Sequence, residues 1–398
     1  MWYNRGEMEH VKIDKLVPGG QALSTAGMKG FFWNALPGET VLKYDVTRKK
    51  SHYFEAIATE VTEPSSHRVE PRDEAFLSTS PWQIMDFEYE LLMKAELVKE
   101  VFRQNGLAIE TECLTDGNEY FYRNKMEYAL FFDNESREIK LAFHARGSHR
   151  KVPIANSSLE KPEILAAAKR IVADLNARSE EARKYQSLLL RCNAAGEVSG
   201  GLFENGRPHP VFPKLKDTIL GHEYSYSPNG FFQINLPVYE MALTEIKKHI
   251  KTEKVLDLYA GVGTIGLSVA ADRDLTLVEC DKAAYGELEN NVFNGAKPVL
   301  AKSEEALEYV SPDATVILDP PRAGCDEKLI NHLLEVLPPK IIYLSCNPAT
   351  QARDVAKLCA NYKIANVKTY NFFPRTPHIE NLVILERVWG CFKTIFLV

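Results

Sequence analysis

The fold is decided by the stretch Val255-Leu256-Asp257-Leu258-Tyr259-Ala260-Gly261-Val262-Gly263-Thr264-Ile265-Gly266. Its first five residues have the apolar pattern of a buried strand, and its last residues lead into a helical pattern. The glycines let the backbone turn tightly against a ligand. Their G-x-G-x-x-G spacing, taken alone, is typical of nicotinamide-dinucleotide loops. The next strand pattern ends at Glu279. An acid at that position can bind the ribose hydroxyls of other nucleoside cofactors equally well. The loop therefore does not indicate which of these cofactors binds.

Further strand patterns surround this stretch and alternate with helical patterns. They lie at 275–279, 316–318, 341–344 and 382–385. Alternating strands and helices predict an α/β fold with a doubly wound parallel sheet. In such sheets ligands bind in the crevice outside the carboxyl ends of the strands. Residues at those ends are therefore the candidates for chemistry.

One thiol lies at a predicted strand end, in Ser345-Cys346-Asn347-Pro348. Pro348 fits the first turn of a following helix, where its missing N–H costs nothing. The dipole at that helix N-terminus is expected to favour the thiolate of Cys346, which is the nucleophilic form. The alternative is a buried structural cysteine, because cysteine is among the most buried residue types.

Two other strings place charged side chains beside strand patterns. Asp319-Pro320-Pro321-Arg322 follows the pattern at 316–318, and its prolines stiffen the loop. Pro377-His378-Ile379-Glu380 precedes the pattern at 382–385. Each has an ordinary interpretation as well, a stiff turn with a surface salt bridge or a loop acid. Neither string alone predicts a catalytic site.

The chain before residue 216 divides into two predicted domains. Residues 1–63 contain strand patterns at 11–16, 30–33, 41–46 and 52–62, which predict a small β-barrel, and 64–71 are predicted to be a linker. Residues 72–215 are mixed. They contain a helix at 86–105, a strand at 126–132, a helix from Pro162 to Ser179, and turn-rich sequence to about Pro213. The third domain is 216–398; the helix at 86–105 is a candidate to pack on it, and 389–398 is predicted to form a last packed strand.

Composition and charge limit the class of protein. The 398 residues carry a formal net charge of −6 and 7 scattered cysteines without a C-x-x-C pair, which argues against a disulfide framework or a zinc site. Neither a membrane span nor a signal peptide is indicated, so a cytoplasmic protein is expected. Basic side chains group in two places, as solvated faces or as parts of a nucleic-acid groove. The groups are Lys43, Arg48, Lys49 and Lys50, and Arg123, Lys125, Arg146, His149, Arg150 and Lys151.

Taken together and in order, these strings resemble the S-adenosylmethionine-dependent RNA uracil-C5 methyltransferases. The resemblance covers nearly the whole chain. It includes Leu36-Pro37-Gly38-Glu39, Tyr122-Arg123-Asn124-Lys125-Met126, Phe232-Gln233-Ile234-Asn235, the stretch 257–266, Glu279-Cys280-Asp281, Asp319-Pro320-Pro321-Arg322-Ala323-Gly324, Ser345-Cys346-Asn347-Pro348 and Pro377-His378-Ile379-Glu380. It implies a Rossmann-like class I methyltransferase sheet, an N-terminal RNA-binding barrel of the TRAM (OB-like) type, and a central RNA-binding α+β domain.

The resemblance also implies a reaction and its residues. A cysteine thiolate adds to C6 of uracil, C5 of the resulting enolate takes a methyl group from S-adenosylmethionine, and a base removes the C5 proton so that the cysteine is eliminated. The implied residues are Cys346 as nucleophile, Glu380 as base and Asp319 beside them, Gln233, Tyr259, Thr264, Glu279 and Asp319 at the cofactor, and Arg123, Lys125, Arg322 and His378 at the RNA.

The substrate RNA and the competing functions stay open at this point. A uridine of 23S ribosomal RNA is the expected target, uridine 54 of transfer RNA is the alternative, and a monomer is expected. A noncatalytic RNA-binding protein with the same fold and an NAD-dependent oxidoreductase are the alternatives from other classes. Both make no use of the pair Cys346 and Glu380.

One departure from the family concerns metal. Many relatives carry an iron–sulfur cluster on four cysteines, two of them in a C-G-G-C string. Here that string aligns with Leu77-Ser78-Thr79-Ser80, and the other two positions fall near Asp73 and Asn156. Because no thiol stands there, neither a cluster nor another metal is expected. Ala260 is a second departure, since relatives often have cysteine at that position.

Overall fold

The N-terminal strands form a small barrel. In the computed structural model, which describes residues 10–178, 184–209 and 212–388, six strands pair in the order β1-β5-β6-β4-β3-β2. They are β1 (Val11–Lys12), β2 (Lys15–Leu16), β3 (Ala22–Ser24), β4 (Lys29–Trp33), β5 (Thr40–Lys49) and β6 (Tyr53–Thr62). The strand predicted at 11–16 bends in its middle. The Ile13 N–H donates to the Glu39 carbonyl and the Asp14 N–H to the Leu23 carbonyl, so this one segment joins both edges of the sheet and closes the barrel.

The helix predicted at 86–105 connects the barrel to the C-terminal part of the chain. After α1 (Phe76–Thr79), α2 spans Phe87–Gln104, and the Asp86 carboxylate caps it by accepting the Tyr89 N–H at 2.7 Å. Gly106, at φ 76°, ends it. A two-residue strand, β7 (Cys113–Leu114), then joins the C-terminal sheet.

The central part of the chain is a second six-stranded sheet, antiparallel throughout, in the order β10-β9-β8-β11-β12-β13. Its elements are β8 (Lys125–Asp133), β9 (Glu138–His144), β10 (Lys151–Pro153), α3 (Pro162–Ala177), β11 (Tyr185–Cys192), β12 (Val198–Glu204) and β13 (Arg207–His209). The predicted turn-rich region before Pro213 is wrong, because three of these strands lie in it. Its glycines mimic turns, but Gly200 is required inside β12: a Cβ there would lie 2.2 Å from the Leu189 carbonyl oxygen. Ser179, the predicted end of α3, lies outside the described residues.

The C-terminal part contains a hairpin and an eight-stranded sheet in the order β18-β17-β16-β19-β20-β22-β21-β7. The elements are β14 (Leu215–Ile219), β15 (His222–Tyr226), α4 (Leu236–His249), β16 (Lys254–Leu258), α5 (Thr264–Ala270), β17 (Asp274–Glu279), α6 (Lys282–Asn291), β18 (Lys297–Leu300), β19 (Ala314–Leu318), α7 (Glu327–Val336), β20 (Lys340–Ser345), α8 (Pro348–Leu358), β21 (Tyr362–Tyr370) and β22 (Glu380–Arg387). Single 3₁₀ turns lie at Pro81–Ile84, Ser303–Glu305 and Leu307–Tyr309.

This sheet confirms the predicted α/β class and adds detail that the patterns missed. The five strands from β18 to β20 are parallel. The last strand, β22, runs antiparallel between β20 and β21, and the sequence patterns missed β18, β21 and β7. The strand predicted at 389–398 lies outside the described residues. In the described part of the chain, no helix has the length and apolar character needed to cross a membrane.

Apolar side chains form two large cores on the faces of the C-terminal sheet and a separate core in the central sheet. Ile341 faces one side, in a cluster with α2, α7, α8 and the barrel. Ile342 faces the other side, in a cluster with α4, α5 and the hairpin. The central sheet packs its own apolar face against α3.

Candidate active site

Three predicted site residues meet at the carboxyl edge of the C-terminal sheet. Cys346 directly follows β20, and Glu380 opens β22. Ser345 and Asn381 are partners in the antiparallel ladder between those strands, so Cys346 and Glu380 lie side by side just beyond it. Asp319 follows β19, which flanks β20 on its other side with Leu318 in register with Tyr343. The thiol is therefore bracketed by two carboxyl groups.

The crowding of these acids sets their protonation. Glu380 and Asp319 are buried, and burial together with the neighbouring Asp319 raises the pKa of Glu380 well above its usual value. Burial raises the pKa of Asp319 to about 7. Burial, then the charges of Glu380 and Asp319, raise the pKa of Cys346 to about 11. The expectation that the helix dipole favours the thiolate is therefore wrong here, because burial and two acids outweigh the first turn of α8.

A cavity of about 260 Å³ opens onto Cys346. The barrel turn contributes Pro18 and Gly19 to its wall, and the C-terminal part contributes Arg322 and His378. The Arg322 guanidinium lies 3.2 Å from Nδ1 of His378. Burial by the surrounding protein and the Arg322 charge lower the pKa of His378, so the ring is neutral at neutral pH although the residue as a whole is exposed. The predicted RNA contacts Arg322 and His378 thus lie beside the predicted nucleophile.

Side chains that the motifs did not single out lock the two strands that carry Cys346 and Glu380. Gln351 on α8 donates to the carbonyls of Tyr343 and Asn381 at 2.8 and 2.9 Å. The Asn381 amide donates back to Gln351 at 2.7 Å and accepts from the Thr369 hydroxyl at 2.9 Å. Only the position of Asn381 next to Glu380 could have indicated this network from the sequence.

The glycine loop is shaped by a buried acid. Oδ2 of Asp257 accepts the Gly266 N–H at 2.8 Å, and a Cβ at Gly266 would lie 2.8 Å from that same oxygen. Oδ1 of Asp257 is buried without a hydrogen-bond partner among the described residues. Burial is the main cause that raises the pKa of Asp257 to about 8. By contrast, a Cβ at Gly261, where φ is 58°, would meet no atom within 4 Å, so the loop presents its backbone to open space.

The predicted cofactor residues surround this loop. Glu279 accepts the Gly261 N–H at 2.8 Å and the backbone N–H groups of Cys280 and Asp281, which fixes its carboxylate at the loop. Thr264 opens α5, and its hydroxyl lies 2.8 Å from the Tyr239 hydroxyl. Tyr259 adopts a left-handed φ of 66° and hydrogen-bonds through its hydroxyl to Ser303, a neighbour that the sequence did not indicate.

These observations fit a cationic nucleoside cofactor. The open space over Gly261 leaves room for a ligand, and the unpartnered Oδ1 of Asp257 offers it an acceptor. The pKa values of Asp257, Asp319 and Glu380 are all raised in the ligand-free chain. A positive charge near these carboxyl groups would favour their ionised forms.

The central sheet holds the loop that carries Gln233. The Lys125 ammonium donates to the carbonyls of Asn229 and Gly230 at 3.1 and 3.0 Å. The Asn124 amide donates to the Gln233 carbonyl at 3.0 Å. Burial, helped by Arg191, lowers the pKa of Lys125 to about 8. Lys125 thus supports the loop that carries Gln233, and its contact to RNA stays a prediction.

Two further donors complete the surroundings of this loop. The buried Arg191 guanidinium donates to the Phe232 carbonyl at 2.8 Å, another contact that sequence patterns missed. Arg123 donates to the Lys125 carbonyl at 2.9 Å. Phe231 is 75% exposed, so the loop presents one large aromatic ring to solvent beside Gln233.

Polar side chains fill the region that aligns with the cluster of relatives. Asp73 accepts from the Ser158 hydroxyl at 2.6 Å and from the Gln83 amide at 2.9 Å, and Gln83 also donates to Ser80 at 2.7 Å. Asn156 accepts from Lys169 at 2.8 Å. Within the described ranges, no three His, Cys, Asp or Glu side chains group closely enough to hold a metal ion. The expectation of a chain without a cluster stays a prediction.

Fold and site together define an α/β methyltransferase with a cysteine at the carboxyl edge of its sheet. Residues 307–388 match the tRNA (uracil-5-)-methyltransferase family model. An uncharacterized RNA methyltransferase of Thermosynechococcus vestitus is 27% identical over 96% of this chain and 99% of its own length. One from Enterococcus faecalis is 27% identical over 90% of this chain and 92% of its own. The chain is therefore similar to RNA methyltransferases over most of its length.

A solved structure shares the fold over nearly the whole chain. The Pyrococcus abyssi tRNA (uracil-54, C5)-methyltransferase, crystallised with S-adenosyl-L-homocysteine, superposes with a TM-score of 0.75 at 22% identity. The match covers 95% of this chain and 99% of that one. It includes the barrel and the central sheet as well as the C-terminal sheet, because only 5% of this chain is left unmatched.

Proposed function

We propose that this protein transfers a methyl group from S-adenosylmethionine to C5 of a uridine in RNA, through a covalent bond between Cys346 and C6 of the uracil. The observation that carries the proposal is the placement of Cys346 next to Glu380 across β20 and β22, with Asp319 on the other side. Both carboxyl groups are within electrostatic reach of the thiol. A noncatalytic RNA-binding protein has no use for that arrangement.

The steps follow from the chemistry of the ring. Cys346 loses its proton, and Sγ adds to C6, so that the C5=C6 electrons move towards O4 as an enolate. C5 of the enolate would then bond to the methyl carbon while that carbon's bond to sulfur breaks, so that the cofactor would leave as the uncharged thioether. Glu380 takes the remaining C5 proton, the Sγ–C6 bond breaks, and the C5=C6 bond is restored. Asp319, with a pKa of about 7, is suited to accept the thiol proton near neutral pH.

Residues at the glycine loop would hold the cofactor. When bound, S-adenosylmethionine supplies an electrophilic methyl group on a positively charged sulfur. Gln233, Tyr259, Thr264 and Glu279 surround its proposed site, with Asp319 between that site and the thiol. A positive charge beside Asp319 favours its ionised form, which is the form that accepts the thiol proton before the methyl group is transferred.

For the RNA we propose a uridine of 23S ribosomal RNA, bound by a monomer. The support is the N-terminal barrel, which resembles a TRAM domain and whose Pro18 and Gly19 border the catalytic cavity. Arg322 and His378 at that cavity are the proposed contacts to the target nucleotide. Uridine 54 of transfer RNA is the second candidate, because the Pyrococcus abyssi protein of the same fold is named for it.

The test is a map of 5-methyluridine in ribosomal and transfer RNA from cells with and without the gene. We expect one site in 23S ribosomal RNA to be lost and to return with the wild-type gene but not with Cys346→Ala. Loss of the modification at uridine 54 would move the proposal to transfer RNA. Full restoration by Cys346→Ala would overturn the covalent mechanism.

A second measurement separates the roles of the two side chains. Glu380→Gln lacks a base but retains the thiol, so a covalent adduct between protein and RNA should accumulate and appear as a slow band on a denaturing gel. Cys346→Ala should form none. An adduct with Cys346→Ala would place the nucleophile elsewhere in the chain.

A further inference from the structure

We propose that Glu90, buried on α2, is a positioning residue for Glu380: it fixes the loop 371–379 that leads into the base and thereby controls removal of the C5 proton. The inference rests on the proposed function, because the role of Glu380 as base is itself proposed. Glu90 lies outside the C-terminal sheet and in none of the strings that resemble the family.

The first observation is the backbone of Arg375, in the middle of this loop. Arg375 has a left-handed φ of 64°, which residues other than glycine rarely adopt. Its N–H donates to both carboxylate oxygens of Glu90, at 2.9 and 3.0 Å. Its guanidinium donates to Glu90 at 3.3 Å and to the Met85 carbonyl at 2.8 Å. Several groups hold the strained turn, and among them the Glu90 carboxylate accepts both the backbone N–H and the guanidinium of Arg375.

The second observation is that Lys94, one helical turn further along α2, holds the start of the same loop. Its ammonium donates to the Asn371 side chain at 2.6 Å and to the Phe373 carbonyl at 3.1 Å, and it lies 3.1 Å from Glu90. The Asn371 amide donates to Glu90 at 3.1 Å. The side chains of Glu90 and Lys94 are completely buried. Glu90 and Lys94 thus contact the loop at residues 371, 373 and 375.

The C-terminal end of the loop is also held in place. Gly20 of the barrel packs so closely that a Cβ there would lie 2.1 Å from Cβ of Pro377. His378 and Ile379 follow, and Glu380 begins β22. Lys94 holds the start of the loop, Glu90 holds its centre and Gly20 packs on its far end, so the backbone that leads into Glu380 is fixed from residue 371 to residue 377. Burying charges is costly unless they are fully hydrogen-bonded, and a fully bonded polar network specifies one conformation.

Glu90→Gln tests the inference, because the amide keeps the size of the side chain but can accept with only one atom. Purified full-length variants react in a single turnover with RNA from cells that lack the gene and with methyl-labelled S-adenosylmethionine. Label transfer to RNA and decay of the covalent adduct are followed separately. We expect decay to slow by roughly tenfold or more relative to transfer, on the scale of one charge-assisted hydrogen bond, while the KM for S-adenosylmethionine changes less than twofold. Glu96→Gln, at an exposed site on the same helix, should leave both rates unchanged.

A role in stability alone predicts another pattern. Transfer and decay would then fall together, in proportion to the loss of folded protein in a melting curve, and that result overturns the inference. If Glu90→Gln does not fold, Glu90→Asp replaces it, because the shorter side chain keeps the charge beside Lys94 but draws its carboxylate back from the Arg375 N–H. Slow adduct decay in that variant supports the inference, and wild-type decay overturns it.

Glu380→Gln is run beside these variants to separate this inference from the proposed function. An adduct that persists with Glu380→Gln but not with Glu90→Gln overturns the positioning role alone. No adduct with Glu380→Gln overturns the assignment of the base, and the positioning role with it.

Discussion

The N-terminal barrel and the central sheet are joined to the catalytic sheet in opposite ways. Core residues of the barrel, such as Phe32, Val41 and Ala56, belong to one continuous apolar cluster with Leu385 of β22. The central sheet closes a core of its own around Tyr128 and Leu188. The sequence predicts the barrel and the central sheet as two separate RNA-binding domains. In the structure the barrel shares its apolar core with the catalytic sheet, whereas the central sheet has a core of its own.

The seams show the same contrast at single contacts. The barrel meets the catalytic part through Trp82, whose indole N–H donates to the Gly20 carbonyl at 2.9 Å, and through Gly20 against Pro377. The central sheet meets it through a small cluster of Tyr122, Leu159 and Ile234 and through hydrogen bonds to the loop of Gln233. The shared apolar cluster stabilises the barrel and the catalytic sheet together. The directed hydrogen bonds of the central sheet instead fix the conformation of the loop that carries Gln233.

The largest effect is expected from removal of the barrel. Deleting residues 1–63 would expose the apolar cluster that the barrel shares with the catalytic sheet. We expect the lost free energy to exceed the whole stability of a typical domain, which is about 5–15 kcal/mol. We expect an insoluble or uncooperatively melting protein with no methylation. Circular dichroism and soluble yield measure it. A truncated protein that melts like the full chain would show that the barrel is a separable module.

A single side chain at the barrel seam should show a smaller version of this effect. Trp82 is 1% exposed, and Trp82→Ala should lower the free energy of unfolding by about 3–5 kcal/mol, as large-to-small core changes do. Trp82→Phe keeps most of the apolar area and loses the hydrogen bond to Gly20, so about 1 kcal/mol is expected from it beyond the lost volume. Urea denaturation of both variants is the measurement. Equal losses would mean that the hydrogen bond, not burial, joins the barrel.

Leu188→Ala should affect the central sheet alone. Leu188 is completely buried in that core, and its truncation is expected to cost about 2–5 kcal/mol there. Hydrogen exchange followed by mass spectrometry should rise in 125–204 and stay unchanged in 254–387, because separate cores open separately. Glu138→Ala, exposed on β9, is the control. Faster exchange in both ranges would show one cooperative unit.

Lys125→Met should weaken the binding of S-adenosylmethionine more than it lowers the free energy of unfolding. Without the ammonium, the carbonyls of Asn229 and Gly230 lose a donor, and a loss of about 1 kcal/mol in S-adenosylmethionine binding is expected, measured by calorimetry.

The stability of the protein should also depend on pH through Lys125, with a definite sign. Since the folded pKa of Lys125 is lowered to about 8, the unfolded chain binds more protons above that value, so stability rises with pH from about 8 towards the unfolded pKa. The variant should lack this rise, and an identical pH profile would contradict the burial of the charge.

The smallest effect on stability is expected at the basic face of the barrel. Lys43 pairs with Glu60, Arg48 pairs with Glu55, and Lys49 and Lys50 are exposed. Changing these four to Ala should alter the free energy of unfolding by less than about 1 kcal/mol. If the four contact phosphates, the slope of log affinity for RNA against log salt should fall by up to about 3. An unchanged slope would place the RNA on another face.

The sequence predicts the motif residues of the site better than it predicts the residues and strands that hold them in place. The predicted positions of Cys346, Asp319 and Glu380 were read from the strand patterns that each follows or precedes, and the structure brings all three together. Lys125 is predicted as an RNA contact, and the sequence did not indicate that its ammonium donates to the carbonyls of Asn229 and Gly230. The strands before Pro213 were missed because glycines that allow close strand approach look the same in sequence as glycines that make turns.

The sequence by itself determined the features that depend on neighbours in the chain. These are the α/β alternation, the glycine loop after β16, the cap of α2 at Asp86 and the motifs that resemble the RNA uracil-C5 methyltransferases. Only the tertiary structure decided that β22 inserts antiparallel beside β20 and so brings Glu380 to Cys346, that the thiol's pKa rises instead of falling, and that Glu90 and Lys94 hold a loop some 280 residues away in the chain. The reason is that helix hydrogen bonds, helix caps and apolar periodicity involve neighbours in the chain, whereas the burial of a charge and the partner of a strand depend on residues far apart in sequence.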